Sequence, residues 1–160
     1  MDSITYQPIG IINTPFKNKE GMPIQPSGAI GIQGTIKINA DYIAGLKDLE
    51  GFSHIILIYH FHLSKDYSLI VTPFLDNQPH GVFATRAPKR PNSIGLSVVK
   101  LNAIKDDILD IENIDIIDGT PLLDIKPYVP KFDAQVKVKT GWLGKVEERV
   151  HKTKSDLRFT

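Results

Sequence analysis

Arg86, Lys89 and Arg90 fall within five positions of one another in the stretch Gly81–Ser97, GVFATRAPKRPNSIGLS, with Pro88 and Pro91 set between and after them. A short strand signal runs from Gly81 to Thr85, and Asn92, Ser93 and Gly95 close the stretch before an apolar run resumes at Leu96. Proline fixes φ and cannot donate a backbone hydrogen bond, so the loop is shaped before any ligand arrives. A guanidinium meets phosphate or carboxylate through a planar fork, and a pre-ordered fork loses less entropy on binding. The same residues also read as a solvated basic turn between two strands.

A second charged turn lies in Asp115–Tyr128, DIIDGTPLLDIKPY. Asp118 can accept from its own backbone, Gly119 can take positive φ, and Asp124 and Lys126 share one face of the strand that follows. Two shaped, charged turns on one chain suggest a common cleft. His60 and His62 occupy one face of a strand, where a metal site could begin with Asp66 or His80 as third ligand. A structural or ligand-contacting role for the pair is the simpler reading, and no metal is expected. The chain has no nucleophile elbow, no G-x-G-x-x-G and no Walker loop, and Ser93 and Ser97 read as turn and strand residues.

The elements that would position these groups are mostly short strands. Ile9 and Ile11 predict one face of a first strand, ended by Asn13-Thr14-Pro15. Residues 17–34 are rich in Gly and Pro and read as a long functional loop. Gly34–Ile38 alternates. Asn39 then reads as the N-cap of one short helix marked by Ile43, Leu46 and Leu49 and ended by Gly51. His54–Leu63 predicts a strand buried on both faces, with His54, Ile56, Ile58, His60 and His62 on one side. Further strand signals cover Tyr67–Pro73, Gly81–Thr85, Ile94–Ile104, Ile108–Ile117, Leu122–Ile125 and Ala134–Lys139, with a hairpin tip at Lys105–Asp107. Val146 and Val150 allow a short terminal helix. Such a pattern predicts a mainly β protein, a single-domain barrel or sandwich with one short helix.

At 160 residues and 17.8 kDa the chain can bury one full core. It has no cysteine, which excludes disulfides, thiolate metal sites and a cysteine nucleophile. The apolar run around Ile55–Tyr59 is too short for a bilayer, and MDSITYQP lacks the layout of a secretory signal, so a soluble cytoplasmic protein with no membrane association is expected. A net charge of +1 confines any nucleic-acid footprint to local patches. One such patch is the final thirty residues, where eight cations (Lys131, Lys137, Lys139, Lys145, Arg149, Lys152, Lys154, Arg158) face four acids (Asp133, Glu147, Glu148, Asp156).

Four ordered blocks resemble the TsaA-like, TrmO-type family of tRNA (adenine(37)-N6)-methyltransferases. They are Pro23 with Gln25-Pro26; Gly51-Phe52-Ser53-His54 leading to Phe61-His62; GVFATR through RPNSIGLS; and DGTPLLDIKPY. Ser27 stands where many members have glycine, and Ser93 where many have proline. The resemblance implies a compact β-barrel, with 1–130 as the methyltransferase core and 131–160 as the final strand and basic tail of the same domain. It implies a homodimer with S-adenosyl-L-methionine bound near the subunit interface and tRNA as substrate. Carried over by position, Gln25, Pro26, Ser27, His62, Leu63, Arg86, Leu96, Ile116, Ile117, Asp118 and Gly119 would build the cofactor pocket. Arg86 would fork the cofactor carboxylate and Asp118 would accept from its ribose or ammonium. Lys89 and Arg90 suit tRNA phosphates. No residue is named for assisting N6. Methylation of another RNA base or small molecule, a cofactor-free RNA-binding barrel, and a metal-dependent barrel through His60 and His62 are the other readings these residues allow.

Overall fold

The computed structural model describes residues 2–160. Six antiparallel strands close into a barrel: β1 (Gly10–Asn13), β2 (Gln33–Ile38), β3 (His54–His60), β6 (Ile94–Lys105), β7 (Ile108–Glu112) and β8 (Thr120–Pro127), in the order β1-β2-β7-β6-β3-β8. Between β3 and β6, β4 (Ile70–Val71) and β5 (His80–Gly81) pair with each other in a small separate ribbon. Closure leaves the barrel no open edge to protect. Its long central pairing sets Ile55 opposite Val99, Leu57 opposite Ser97 and Tyr59 opposite Gly95.

Alternation decides what fills the barrel. Ile12, Ile36, Ile38, Ile55, Leu57, Val99, Leu109, Ile111 and Leu122 point inward and are almost wholly buried. Burying each such side chain contributes roughly 1.5–3 kcal/mol. In β1 the inward side chain is Ile12, while Ile11 is exposed and Ile9, just before the strand, is partly buried and packs against the core. β3 is buried on one face only; His54, Ile56 and Ile58 on the other face are half-covered and His60 is exposed. A continuous apolar run therefore marks here a strand with a partly covered outer face.

The helix expected after Asn39 is two 3-10 turns, Ala40–Leu46 and Leu49–Gly51, separated by Asp48 with φ of 68°. Asn39 makes no cap; its amide donates to the Pro8 carbonyl instead. With Gly45 inside and only Leu46 fully buried, too little apolar surface faces the core to hold a regular helix. Of the Tyr67–Pro73 and Gly81–Thr85 signals only β4 and β5 pair, and Val82–Ala84 turns as a 3-10 helix. β7 stops at Glu112, where Asn113 takes positive φ (67°). Ala134–Lys139 finds no strand partner among the described residues, and every residue from 131 to 140 is exposed. Two 3-10 turns, Gly141–Lys145 and Glu147–Arg149, stand where a terminal helix was expected, and α1 (Pro130–Asp133) is a single turn.

The chain then returns to the barrel mouth. Ser155 and Met22 exchange backbone and side-chain bonds, Pro23 and Lys154 form a bridge, and Phe159 is buried edge-on against Phe74 at 5.0 Å. Arg158 donates to the Pro73 carbonyl at 2.6 Å and lies over the Phe74 ring.

Candidate functional site

Where β3 and β6 leave the barrel, a cavity of about 360 Å³ opens, mostly apolar, between the 19–25 loop, the Arg86 loop, the Asp115 loop and residues 155–159. That volume lies at the low end of the roughly 300–1,000 Å³ of small-molecule sites. Of the residues expected to meet in a pocket, Gln25, His62, Leu63, Arg86, Leu96, Ile116 and Ile117 line it. Pro26, Ser27, Asp118 and Gly119 do not. Asp118 borders a separate polar hollow, where its carboxylate accepts from the Thr14 backbone N–H (2.9 Å) and pairs with Lys17 (2.6 Å). Those two partners hold its carboxyl below the ordinary range, Lys17 first. With the Asp118 N–H bound to the Phe16 carbonyl and Gly119 at φ of 76°, the turn staples the chain after β1 to the start of β8.

The two cations assigned to phosphate are engaged within the protein. Arg90 borders the cavity, but one guanidinium nitrogen serves the carbonyls of Val82 (3.0 Å) and Thr85 (2.8 Å), while the group lies 5.8 Å from the Phe83 ring. It holds the loop in shape. Lys89 pairs loosely with Asp66 (3.5 Å) and reaches the Thr160 carbonyl (3.4 Å). Arg86 is exposed, and its guanidinium donates to Gln25 Oε1 at 3.0 Å, joining two of the expected pocket stretches.

Two acids lie on the cavity wall, Asp115 and Asp156; the first of them, not the glycine-flanked Asp118, borders the end of the barrel interior. Ser97 donates its single hydroxyl proton to Asp115 Oδ1 (2.7 Å), so Tyr59, 3.1 Å from Ser97, must donate its own to the Ser97 oxygen. The result is a directed chain, Tyr59 to Ser97 to Asp115. Burial pushes the Asp115 carboxyl up to about 6, against the lowering pull of Ser97 and of the Arg86 charge. Burial and the nearby Asp115 likewise hold the Tyr59 phenol protonated, well above its ordinary value. The available signal was positional: Asp115 alternates with the buried Ile114 and Ile116, and Ser97 shares the inward phase of Val99.

His60 and His62 do not share a strand face. β3 ends at His60, Phe61 bonds back to the Ser93 carbonyl, and the turn carries His62 to the cavity while His60 stays exposed. His80 is tied to Asp76 at 2.8 Å and stacked on Trp142. Among the described residues no group of three or more His, Asp or Glu is arranged to hold a metal ion, and no helix is long and apolar enough to cross a membrane.

The fold and cavity define a closed antiparallel barrel with a mostly apolar cavity at its mouth that carries both cationic and acidic side chains on its wall. The chain belongs to the tRNA-methyltransferase O N-terminal domain family, whose profile matches residues 11–134. It is 55% identical over 156 residues to a "Probable S-adenosyl-L-methionine-binding protein" of Pyrococcus abyssi, covering 98% of this chain and 85% of that one. It is 36% identical over 145 residues to the human tRNA (adenine(37)-N6)-methyltransferase, covering 85% of this chain and 32% of the human protein. The crystal structure of TrmO from Pseudomonas aeruginosa superposes with a TM-score of 0.75 at 38% identity, over 88% of this chain and 63% of that one. The chain thus spans most of the archaeal relative but under two thirds of the other two proteins.

Proposed function

We propose that this protein is an S-adenosyl-L-methionine-dependent methyltransferase acting on N6 of the threonylcarbamoylated adenosine at tRNA position 37. The observation that carries this reading is the pairing of the Arg86 guanidinium and the Asp115 carboxyl on one apolar cavity, on the barrel of this family. A methionine moiety needs a cation for its carboxylate and an acid for its ammonium, and adenine needs apolar walls such as Leu96 and Ile116. Gln25 steadies Arg86, and Ser97 steadies Asp115. When bound, the cofactor supplies an electrophilic sulfonium methyl. The protein's task is to align N6 with that methyl and keep water out. Gln25, His62, Leu63, Arg86, Leu96, Ile116 and Ile117 hold the cofactor in this reading, with Asp115 added, while Asp118 and Gly119 shape the adjoining turn.

The homodimer and the cytoplasmic location belong to the same proposal. Leu63, Ile94 and Leu96 line the cavity and yet are 40%, 39% and 47% exposed, a wall that a second copy would cover. Residues 131–160 complete the domain begun by 1–130, since Ser155, Asp156 and Phe159 supply cavity wall. tRNA phosphates meet the rim Lys89, whose contacts exceed 3.3 Å, and the exposed Lys131, Lys137 and Lys139.

Calorimetric titration with S-adenosylmethionine tests the reading. Saturable binding is expected, weakened by roughly 10- to 100-fold in Arg86→Ala and also weakened in Asp115→Asn. Mass analysis of nucleosides from treated tRNA should then show one added methyl at position 37. Absence of binding by the intact protein, alone or with tRNA, overturns it.

A further inference from the structure

The Thr120 hydroxyl is almost wholly buried and touches two groups: the Ile117 carbonyl at 2.7 Å and His62 Nδ1 at 3.3 Å. A hydroxyl has one proton, and a carbonyl oxygen has none to give. The short contact to Ile117 therefore takes the Thr120 proton, and the contact to His62 can be a hydrogen bond only if Nδ1 carries the ring proton. That leaves Nε2 as a bare lone pair. Among the described residues Nε2 has no hydrogen-bond partner, and no buried side-chain nitrogen or oxygen is left unpartnered, so Nε2 is an accessible lone pair on a residue that lines the cavity. The turn leaving β3 delivers the imidazole, and the first residue of β8 fixes its tautomer.

We propose that His62 Nε2 is the proton acceptor for N6 during methyl transfer, with Thr120 as the residue that positions it. This inference rests on the methyltransferase reading above. N6 forms its bond to the methyl carbon, the carbon–sulfur bond breaks with its electron pair retained on sulfur, and the N6 proton passes to Nε2, giving an imidazolium that later releases the proton to solvent. An acceptor must be unprotonated at working pH. Partial burial lowers the pKa of His62, His60 and Lys19 lower it further, and Asp118 opposes them. Arg86, Arg90, Asp115 and Asp156 are the other charged groups on the cavity wall. Asp115 is the rival acceptor, but its Oδ1 already takes the Ser97 proton, and in this reading its charge is matched to the cofactor ammonium.

The first readout needs no activity. Long-range proton–nitrogen correlation spectra of the full-length protein near pH 7.5 should show Nδ1 of His62 protonated and Nε2 bare, and Thr120→Val should redistribute the proton between the two. The opposite tautomer in the wild type overturns the proposal. The second uses His62→Asn, whose amide can keep the Thr120 contact while removing the Nε2 acceptor. At saturating cofactor and tRNA its single-turnover rate should fall about 10²-fold or more, a loss that further cofactor does not restore. The wild-type rate should fall on the acid side as His62 protonates, and His62→Asn should lack that limb. A rate within threefold of wild type, or an acid limb that survives in His62→Asn and vanishes in Asp115→Asn, overturns the assignment while leaving the methyltransferase reading standing. A wild type that transfers no methyl to tRNA refutes both.

Discussion

Gly95 faces Tyr59 across the β3–β6 ladder, and the volume a Cβ would occupy at Gly95 is filled by the Tyr59 ring and the tip of Phe61. Those two rings meet edge to face with centroids 5.4 Å apart. The absent side chain is what lets the phenol lie where its hydroxyl reaches Ser97. Gly95→Ala should therefore cost about 1–3 kcal/mol by overpacking and should weaken cofactor binding as well. Thermal melts paired with titration check it; a protein as stable as wild type with full affinity would mean the ring has room to move.

Asp115 predicts a pH signature. Its folded pKa of about 6 lies above the unfolded carboxyl, so its contribution to stability is complete below about pH 4 and is lost as pH rises through about 6. Asp115→Asn does not titrate. Its melting temperature relative to wild type should rise between pH 4 and pH 7, by the equivalent of on the order of 1–3 kcal/mol. A constant difference across that range would show that the carboxyl is not raised by burial.

Asp118 predicts the opposite sense. Its pKa is lowered by Lys17 and the Thr14 N–H, so the stability it gives is present at neutral pH and lost as pH falls through its depressed folded pKa. Asp118→Asn should melt earlier at pH 7, converge with wild type in acid, and keep its cofactor affinity within about threefold. A large loss of affinity would return Asp118 to the binding site.

Lys137 and Lys139 lie on a fully exposed segment with no acid between them. Lys137→Glu with Lys139→Glu should weaken tRNA binding and reduce the slope of log affinity against log salt by about one to two, with melting temperature unchanged. Filter-binding measurements across a salt series distinguish this from a fold defect, which would lower affinity without changing the slope.

The barrel was legible because period-two alternation survives wherever a strand has a core to face; Ile36 and Ile38, or Leu109 and Ile111, read directly. It failed where the same alternation had no neighbour. Val136 and Val138 carry a strand pattern on a segment that nothing covers. The helix after Asn39 had the right spacing and too little buried surface to hold it. At the site, the loop cations were visible from their prolines, yet their partners were not: Arg90 is spent on the carbonyls of its own loop, which are backbone atoms that no sequence pattern marks. Asp118 was conspicuous because Gly119 follows it. Asp115 was inconspicuous because an acid between isoleucines looks like an edge residue until the cavity beside it is known.

Residues 155–159 supply the last wall of the cavity, and Ser155 and Phe159 pack against Met22 and Phe74 across more than eighty positions of sequence. During synthesis the barrel strands leave the ribosome first, and the chain can close its hydrogen-bonded ring while the cavity still lacks a side. A nascent barrel is thus a folded protein without a finished cavity. The last wall is added only after Phe159 has emerged and docked on Phe74, which separates in time the closing of the barrel from the completion of its cavity.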